Sequence, residues 1–213
     1  MPSPTDISNI ALANIGAENL VSSIDPPDGS VEAGYCATFY PIARTVLLEA
    51  SKPAFAVRSA SLASVTNTST AWDYAYARPS DALKLLRIVP TATGALLTVE
   101  ASLSLPAGAL DLDTAPYAVQ GDVIFTNEPD AVLVYVWDQV DTTKWTPLFA
   151  DAVAAMVSGY LAGPLIKGRD GASIGQQWRQ QAYRLAAAAA ASVANNADEP
   201  AQPYVPSSIR ARQ

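Results

Sequence analysis

The sequence predicts an α+β fold: a helical bundle from the N- and C-terminal segments, an inserted small antiparallel β region and an extended C-terminal arm. Three observations carry this. Apolar residues recur at helical spacing near both ends, they alternate with polar residues in the middle, and Pro200, Pro203 and Pro206 punctuate the last stretch. The expected boundaries are 1–54 and 142–197 for the helical body, 55–141 for the β-rich insertion and 198–213 for the arm.

Ser3, Pro4 and Asp6 form a helix start of capping-box type, and Ile7, Ile10, Ala11 and Ile15 follow at helical spacing until Gly16. After the turn cluster Asp25-Pro26-Pro27-Asp28-Gly29, a longer helix is expected to put Tyr35, Phe39, Ile42 and Val46 on one face and to run to about Ala50. Pro41 lies inside it and should kink or split it, because an interior proline removes a backbone donor at a cost of about 3 kcal/mol. From Pro53 the period changes. Trp72, Tyr74 and Tyr76 alternate, as do Leu97, Val99, Ala101 and Leu103. Gly121-Asp122 joins Tyr117–Gln120 to Val123–Thr126 as a hairpin. Beyond the turn Asn127-Glu128-Pro129-Asp130, the run from Ala131 to Trp137 reads as a strand covered on both faces. Ser80 to Leu86 fits one helical turn and Asp111 to Pro116 a loop, so the middle is expected to be one small antiparallel sheet.

Helical spacing returns at Thr146 and Pro147, an N-cap followed by a proline at the first helical position. The stretch from Leu148 to Ile166 carries a single charge, Asp151, over nearly a membrane-spanning length. Its soluble-type start and its stop at Gly163-Pro164 favour a buried core helix with Phe149, Val153, Val157 and Tyr160 on one side. Gly159 and Gly163 would permit close helix packing. A second helix from Asp170 or Ser173 places Ile174, Trp178, Ala182, Leu185 and Ala189 on one face. Its run Ala186 to Ala191 suits a crowded bundle or a subunit seam. The three prolines that follow match the polyproline II repeat, and at about 3.1 Å per residue the arm could reach about 50 Å.

Composition excludes several function classes. The 213 residues hold 13 Lys plus Arg, 20 Asp plus Glu and no His, for a net charge of −7. Phosphate-backbone binding needs clustered cations, so specific nucleic-acid binding is not expected. Residues 166–213 carry six bases and three acids, leaving 7 bases against 17 acids elsewhere. Without histidine there is no Ser-His or Cys-His nucleophile pair. Cys36 stands alone, so it forms no intrachain disulfide or thiolate zinc cluster and fits a reducing compartment. The first residues lack a signal-peptide pattern and no membrane partner is expected. Asp111 and Asp113, with Asp122, Glu128 and Asp130, are the best carboxylate candidates for an oxygen-ligated cation, but they lack EF-hand spacing and sit where turns ordinarily place acids. Gly168-Arg169-Asp170-Gly171 lacks the ending of a phosphate loop. The expectation is binding, not catalysis: no catalytic residue, no metal site, no cofactor.

The order of several segments resembles a known family. Ile10-Ala11-Leu12-Ala13-Asn14-Ile15-Gly16 is followed by Tyr40-Pro41 with Arg44, Leu47 and Leu48, then by Pro53, Phe55-Ala56 and Ala60 to Ala63. Trp72-Asp73-Tyr74-Ala75-Tyr76, with Pro79, Asp81 and Leu83 to Ile88, comes next. Tyr117, Gly121 to Asn127 and Pro147-Leu148-Phe149 at the start of an Ala-rich helix complete the order. Over almost the whole chain this is similar to the tail tubular protein A, or head-to-tail adaptor (gatekeeper), family of short-tailed, T7-like bacteriophages. Ala54 departs from it, since the family usually has a tryptophan just before the Phe-Ala pair.

The resemblance implies a structural virion-tail protein, assembled in the host cytoplasm, that forms a homo-oligomeric ring, usually twelve-fold, between the portal protein and the tail nozzle protein. DNA would pass through its axial channel without specific binding. By similarity, the long helix and the arm are the portal-side candidates, with Tyr204, Val205 and Ile209 as apolar anchors and Arg210 and Arg212 as charge partners. Loops carrying Asp111 and Asp113, and Asn127 and Asp130, are the nozzle-side candidates. The alternatives are a head-completion or neck connector of a long-tailed phage, and a carboxylate- and cation-dependent enzyme.

Overall fold

A computed structural model describes residues 2–89, 114–166 and 169–197, a mixed helix-and-strand fold of the α+β class. The predicted strand over residues 97–103 and the arm at 198–213 lie outside the described residues. Helix α1 spans Pro4–Asn14. Ser3 Oγ accepts the Asp6 N–H at 3.1 Å and the Asp6 carboxylate accepts the Ser3 N–H at 2.9 Å, so each end of the capping box satisfies the other. The carboxyl is held below its usual range by the Ser3 backbone hydrogen bond and then by the Ser3 hydroxyl. The buried face is Ile7, Ser8, Ala11 and Leu12, whereas Ile10, expected inside, is 43% exposed.

Asn9 holds the next segment by accepting the Val21 N–H and donating to its carbonyl. Asp28 then accepts hydrogen bonds from Ser22 and Ser30. That fixes Ser30 as N-cap of helix α2, Val31–Ser51. This helix continues through Pro41, so of the expected kink or split the split does not occur. Pro41 is exposed and the carbonyl of Pro41 itself is capped by Thr45 Oγ1 at 3.1 Å. The buried face is also rotated from the expected one. Ala33, Cys36, Tyr40, Ala43 and Leu47 face the core, Tyr35, Phe39 and Val46 flank it, and Ile42 is exposed. Small residues at the contact let α2 approach its neighbour closely, and the bulkier ones cover the rim.

Among the described residues the β region forms two three-stranded antiparallel sheets, not one. Strands β1 (Val57–Ser61), β6 (Val132–Trp137) and β3 (Ala82–Val89) form the first, with β6 central. Strands β2 (Tyr74–Ala77), β5 (Val123–Thr126) and β4 (Tyr117–Gln120) form the second. The first sheet is the middle layer. Val57, Leu83, Leu86 and Val136 pack on the helical core, while Leu85, Ile88, Leu133 and Tyr135 pack against Tyr76, Tyr117 and Ile124 of the second sheet. Strand β6 is therefore covered on both faces, as its uninterrupted apolar run requires.

Residues 80–86 hold no helical turn. Strand β3 starts at Ala82, and its pairing with β6 shifts register between Ala82 and Lys84 and again between Leu85 and Arg87. Each irregularity adds a residue to one face, so Leu83 and Leu86 share the helix-facing side and Ala82, Leu85 and Ile88 the other. A bulged strand thus shows a spacing of three that imitates a helix. The hairpin at Gly121-Asp122 forms as expected, with Gln120 paired to Val123 and Gly121 at φ +60°, the arrangement of a turn with glycine first.

Helix α3, Pro147–Leu165, has Thr146 as N-cap and lies inside the helical core, with Phe149, Val153, Met156, Val157 and Leu161 fully buried. Each such side chain contributes about 1.5–3 kcal/mol on burial. By length and composition it is the one described helix that could cross a membrane, yet two thirds of it is buried by its own chain. It continues through the expected stop at Gly163-Pro164 by one residue. Asn14 Nδ2 donates to Ser158 Oγ at 3.1 Å, and the Ser158 hydroxyl is shared between the carbonyls of Ala154 on its own helix, at 2.8 Å, and Ala11, at 3.2 Å, tying α1 to α3. Helix α4, Arg169–Ala197, packs along α3 through Gly171, Gly175, Ala182, Ala186 and Ala189. At Gly175 an added Cβ would stand 2.7 Å from the Gly159 carbonyl oxygen, and at Gly171 it would stand 2.3 Å from that of Ile166. Gly159 makes the close approach the sequence suggested; Gly163 does not, with open space around it.

Candidate interaction surfaces

The turn after β5, the central strand of the second sheet, carries Asn127 and Asp130 on the way to β6. Asn127 Oδ1 accepts the Asp73 N–H at 3.0 Å, which fastens the turn to the start of β2. Tyr76 Oη donates to the Glu128 carbonyl at 2.9 Å and holds the turn from beneath. Asp130 is exposed at φ +51°, a conformation that Asp and Asn adopt more readily than other non-glycine residues. Asp122 is at the hairpin tip, at the opposite end of β5, and its carbonyl accepts the Arg78 N–H at 2.8 Å. The two acidic turns are therefore separated by the length of that strand. Among the described residues no three His, Cys, Asp or Glu side chains converge as metal ligands would. Asp111 and Asp113 lie outside the described residues, as do Tyr204, Val205, Ile209, Arg210 and Arg212.

Two ion pairs that sequence reasoning missed anchor the layers. Arg44 on α2 makes a two-pronged contact with Asp138, just past β6: Nε to Oδ1 at 2.8 Å and Nη2 to Oδ2 at 2.7 Å. The pair is largely shielded from solvent. The neighbouring Tyr40 hydroxyl is buried without a partner, and burial pushes its pKa up to about 12. On the other side of the sheet Arg58 pairs with Asp81, donates to Tyr135 Oη at 2.7 Å, and lies over the rings of Trp137 and Tyr135 at 4.6 and 5.2 Å. It ties β1 to the start of β3 across β6. Burial raises the Tyr135 pKa, opposed by the hydrogen bond from Arg58. The sequence signal was the alternation of Tyr135 and Trp137 on one face of β6, with Arg58 paired to Tyr135. Both arginines are neutralised by carboxylates and act as clamps.

The helical surface is different. Tyr35 stacks on Phe39, which stacks on Tyr160, at ring separations of 6.1 and 5.6 Å. This half-buried aromatic row links α2 to α3. On α4, Arg179, Tyr183 and Arg184 are exposed. Neither arginine takes part in the two ion pairs found among the described residues. Ile10 on α1, Leu20 in the loop after it (64%) and Val31 at the start of α2 (66%) are exposed apolar residues. Such arrangements serve packing and docking, and no described group is placed as a nucleophile with its base. Comparison of the chain with protein-family models and with curated proteins gives no match.

Proposed function

We propose that this chain is the subunit of a head-to-tail adaptor ring of a short-tailed phage, seated between portal and tail nozzle and enclosing a channel for the genome. The carrying observation is the order of segments from Ile10-Ala11-Leu12-Ala13-Asn14-Ile15-Gly16 through Tyr40-Pro41 and Trp72-Asp73-Tyr74-Ala75-Tyr76 to Pro147-Leu148-Phe149, which resembles that family over almost the whole chain. Two physical features support it. The helical core joins segments from both ends of the chain around an inserted β region, and the charge is acidic overall. An acidic wall around DNA opposes adhesion during ejection.

In this reading the helical body forms the ring and the arm at 198–213 docks on the portal through Tyr204, Val205, Ile209, Arg210 and Arg212. The Asn127–Asp130 turn and the Asp111–Asp113 segment face the nozzle. The complex belongs to the virion tail and is assembled in the host cytoplasm. The test is light scattering after size exclusion, with negative-stain imaging of the same fractions, alone and with portal. Uniform rings with a central hole are expected. Failure to form them with portal present overturns the reading, and unchanged portal binding after deletion of 198–213 overturns the role of the arm.

A further inference from the structure

Val31, Tyr35 and Phe39 recur every four residues on α2 and so share one face. Val31 is 66% exposed, and the stacked rings of Tyr35, Phe39 and Tyr160 are only half-buried. The row continues towards α4. Burial holds the Tyr160 phenol above its ordinary value, the Tyr183 phenol adds to that rise and the Arg179 guanidinium opposes it, so both stand near that ring. Asp28 and Glu32 lie at the start of α2, and the first Lys or Arg of the chain is Arg44. The stripe is therefore aromatic, partly exposed and acidic at one end.

The sixteen residues after α4 have the complementary character. Pro200, Pro203 and Pro206 recur at the polyproline II period, Tyr204, Val205 and Ile209 supply apolar surface, and Arg210 and Arg212 stand near the end. The arm's own acids, Asp198 and Glu199, are at its root. Polyproline II segments dock on aromatic-lined surfaces, because their stiff backbone loses little entropy and its unbonded carbonyls accept from tyrosine hydroxyls. The reach agrees. Helices α2 and α4 both run opposite to α3, since Phe39 meets Tyr160 while Phe55 meets Phe149, and Gly175 meets Gly159 while Gly171 meets Ile166. At about 1.5 Å per residue the end of α4 is about 27 Å from the level of Arg179, and an arm that turns back at about 3.1 Å per residue covers this by about Pro206. The residues after Pro206 then run along α2 towards Val31, Glu32 and Asp28.

We infer that the arm folds back on its own chain, antiparallel to α4, with Pro203-Tyr204-Val205-Pro206 on the rings of Tyr160, Phe39 and Tyr35, Ile209 on Val31, and Arg210 and Arg212 beside Glu32 and Asp28. The strap covers the stripe in the free subunit with the same residues that the adaptor reading offers to the portal. Portal docking then requires its release, a control that rests on that reading; the strap itself does not.

The test is nuclear magnetic resonance on the isotope-labelled full-length chain with a nitroxide attached through Ser208→Cys; Cys36 is buried and stays unlabelled. The amide signals of Val31, Tyr35 and Phe39 are expected to be lost and to return when the nitroxide is reduced, while that of Val123 in the second sheet is unchanged. In P203G/P206G, which alters only the arm, most of this loss is expected to disappear, and R210E/R212E should reduce it at low salt. Signals that stay intact beside the nitroxide overturn the strap. So does a loss that persists in the glycine variant. A loss that appears only when a nitroxide-bearing copy is mixed with an isotope-labelled copy lacking it places the arm on a second chain and overturns the inference as well. Added portal separates the two readings. Signals that return as portal binds support both, and signals that stay lost while portal binds overturn the control by release. A strapped chain that binds no portal leaves this inference standing while the adaptor reading falls.

Discussion

Gly159 and Gly163 sit one turn apart on α3, and replacing each by alanine separates helix propensity from packing. Alanine is favoured over glycine inside a helix by about 1 kcal/mol, and both substitutions gain up to that amount. Only one meets an obstacle. A Cβ at Gly163 has nothing within 4 Å, whereas at Gly159 it stands 2.5 Å from Arg179 Cγ and 2.9 Å from the Gly175 carbonyl oxygen. The arginine methylene can swing aside. The carbonyl is backbone, and an ordinary contact beyond 3.4 Å requires α4 to retreat by about half an ångström. Overpacking of this kind costs about 1–3 kcal/mol. Gly163→Ala should therefore be neutral to stabilising by up to about 1 kcal/mol. Gly159→Ala should be neutral to destabilising by up to about 2 kcal/mol, and the difference between the two should be about 1–3 kcal/mol. Urea titration measures it directly, and a thermal melt should separate the variants by about 2–4 °C per kcal/mol. If Gly159→Ala proves as stable as Gly163→Ala, the close approach of α3 and α4 is wrong.

Arg44→Ala or Asp138→Ala leaves a shielded charge alone and should destabilise by about 2–4 kcal/mol, whereas the double variant should cost less than the sum; a double-mutant cycle in urea measures the coupling, and additivity would refute the pairing. Hydrogen bonds from Ser30, then Ser22, hold the Asp28 carboxyl far below its ordinary 3.8, and Asp6 and Asp141 move the same way. A depressed folded-state value contributes stability that is complete above the ordinary carboxylate range and is lost as pH falls through it. Stability measured by urea titration should therefore drop below about pH 4, with a shallower acid limb in Asp28→Asn. Burial pushes the Cys36 thiol up to about 11, so a thiol reagent at neutral pH should label it only as fast as the fold opens, and immediate labelling would place it outside the core.

Local chemistry made some elements legible and tertiary contacts hid others. The Ser3–Asp6 box, the Thr146-Pro147 start and the Gly121-Asp122 hairpin were readable because each signal is complete within a few residues. The buried faces of α1 and α2 were misjudged at Ile10 and Ile42, since size alone favoured those residues while the contact with α3 selects small ones such as Ala33, Cys36 and Ala43. Strand β3 was hidden by its own bulges. Strand β1, Val-Arg-Ser-Ala-Ser, has too little apolar character to announce itself and is a strand because β6 pairs with it. Of the candidate site residues, the turn at Asn127–Asp130 was legible as a turn. The clamps at Arg44 and Arg58 were not, because their partners stand 94 and 23 residues away.

The middle layer also dictates when the protein can fold. Val57 on β1 waits for Val136, and β3 waits for the same strand, so the first sheet cannot close until β6 has left the ribosome. The N-terminal helix waits longer still, since the Ser158 hydroxyl that grips Ala11 lies 147 residues downstream. Until then α1 and α2 present Ile7, Leu12, Leu47 and Leu48 to solvent without α3 to cover them. Nascent chains of this protein should be long-lived clients of ribosome-associated chaperones, and cooperative collapse should come only near the end of synthesis.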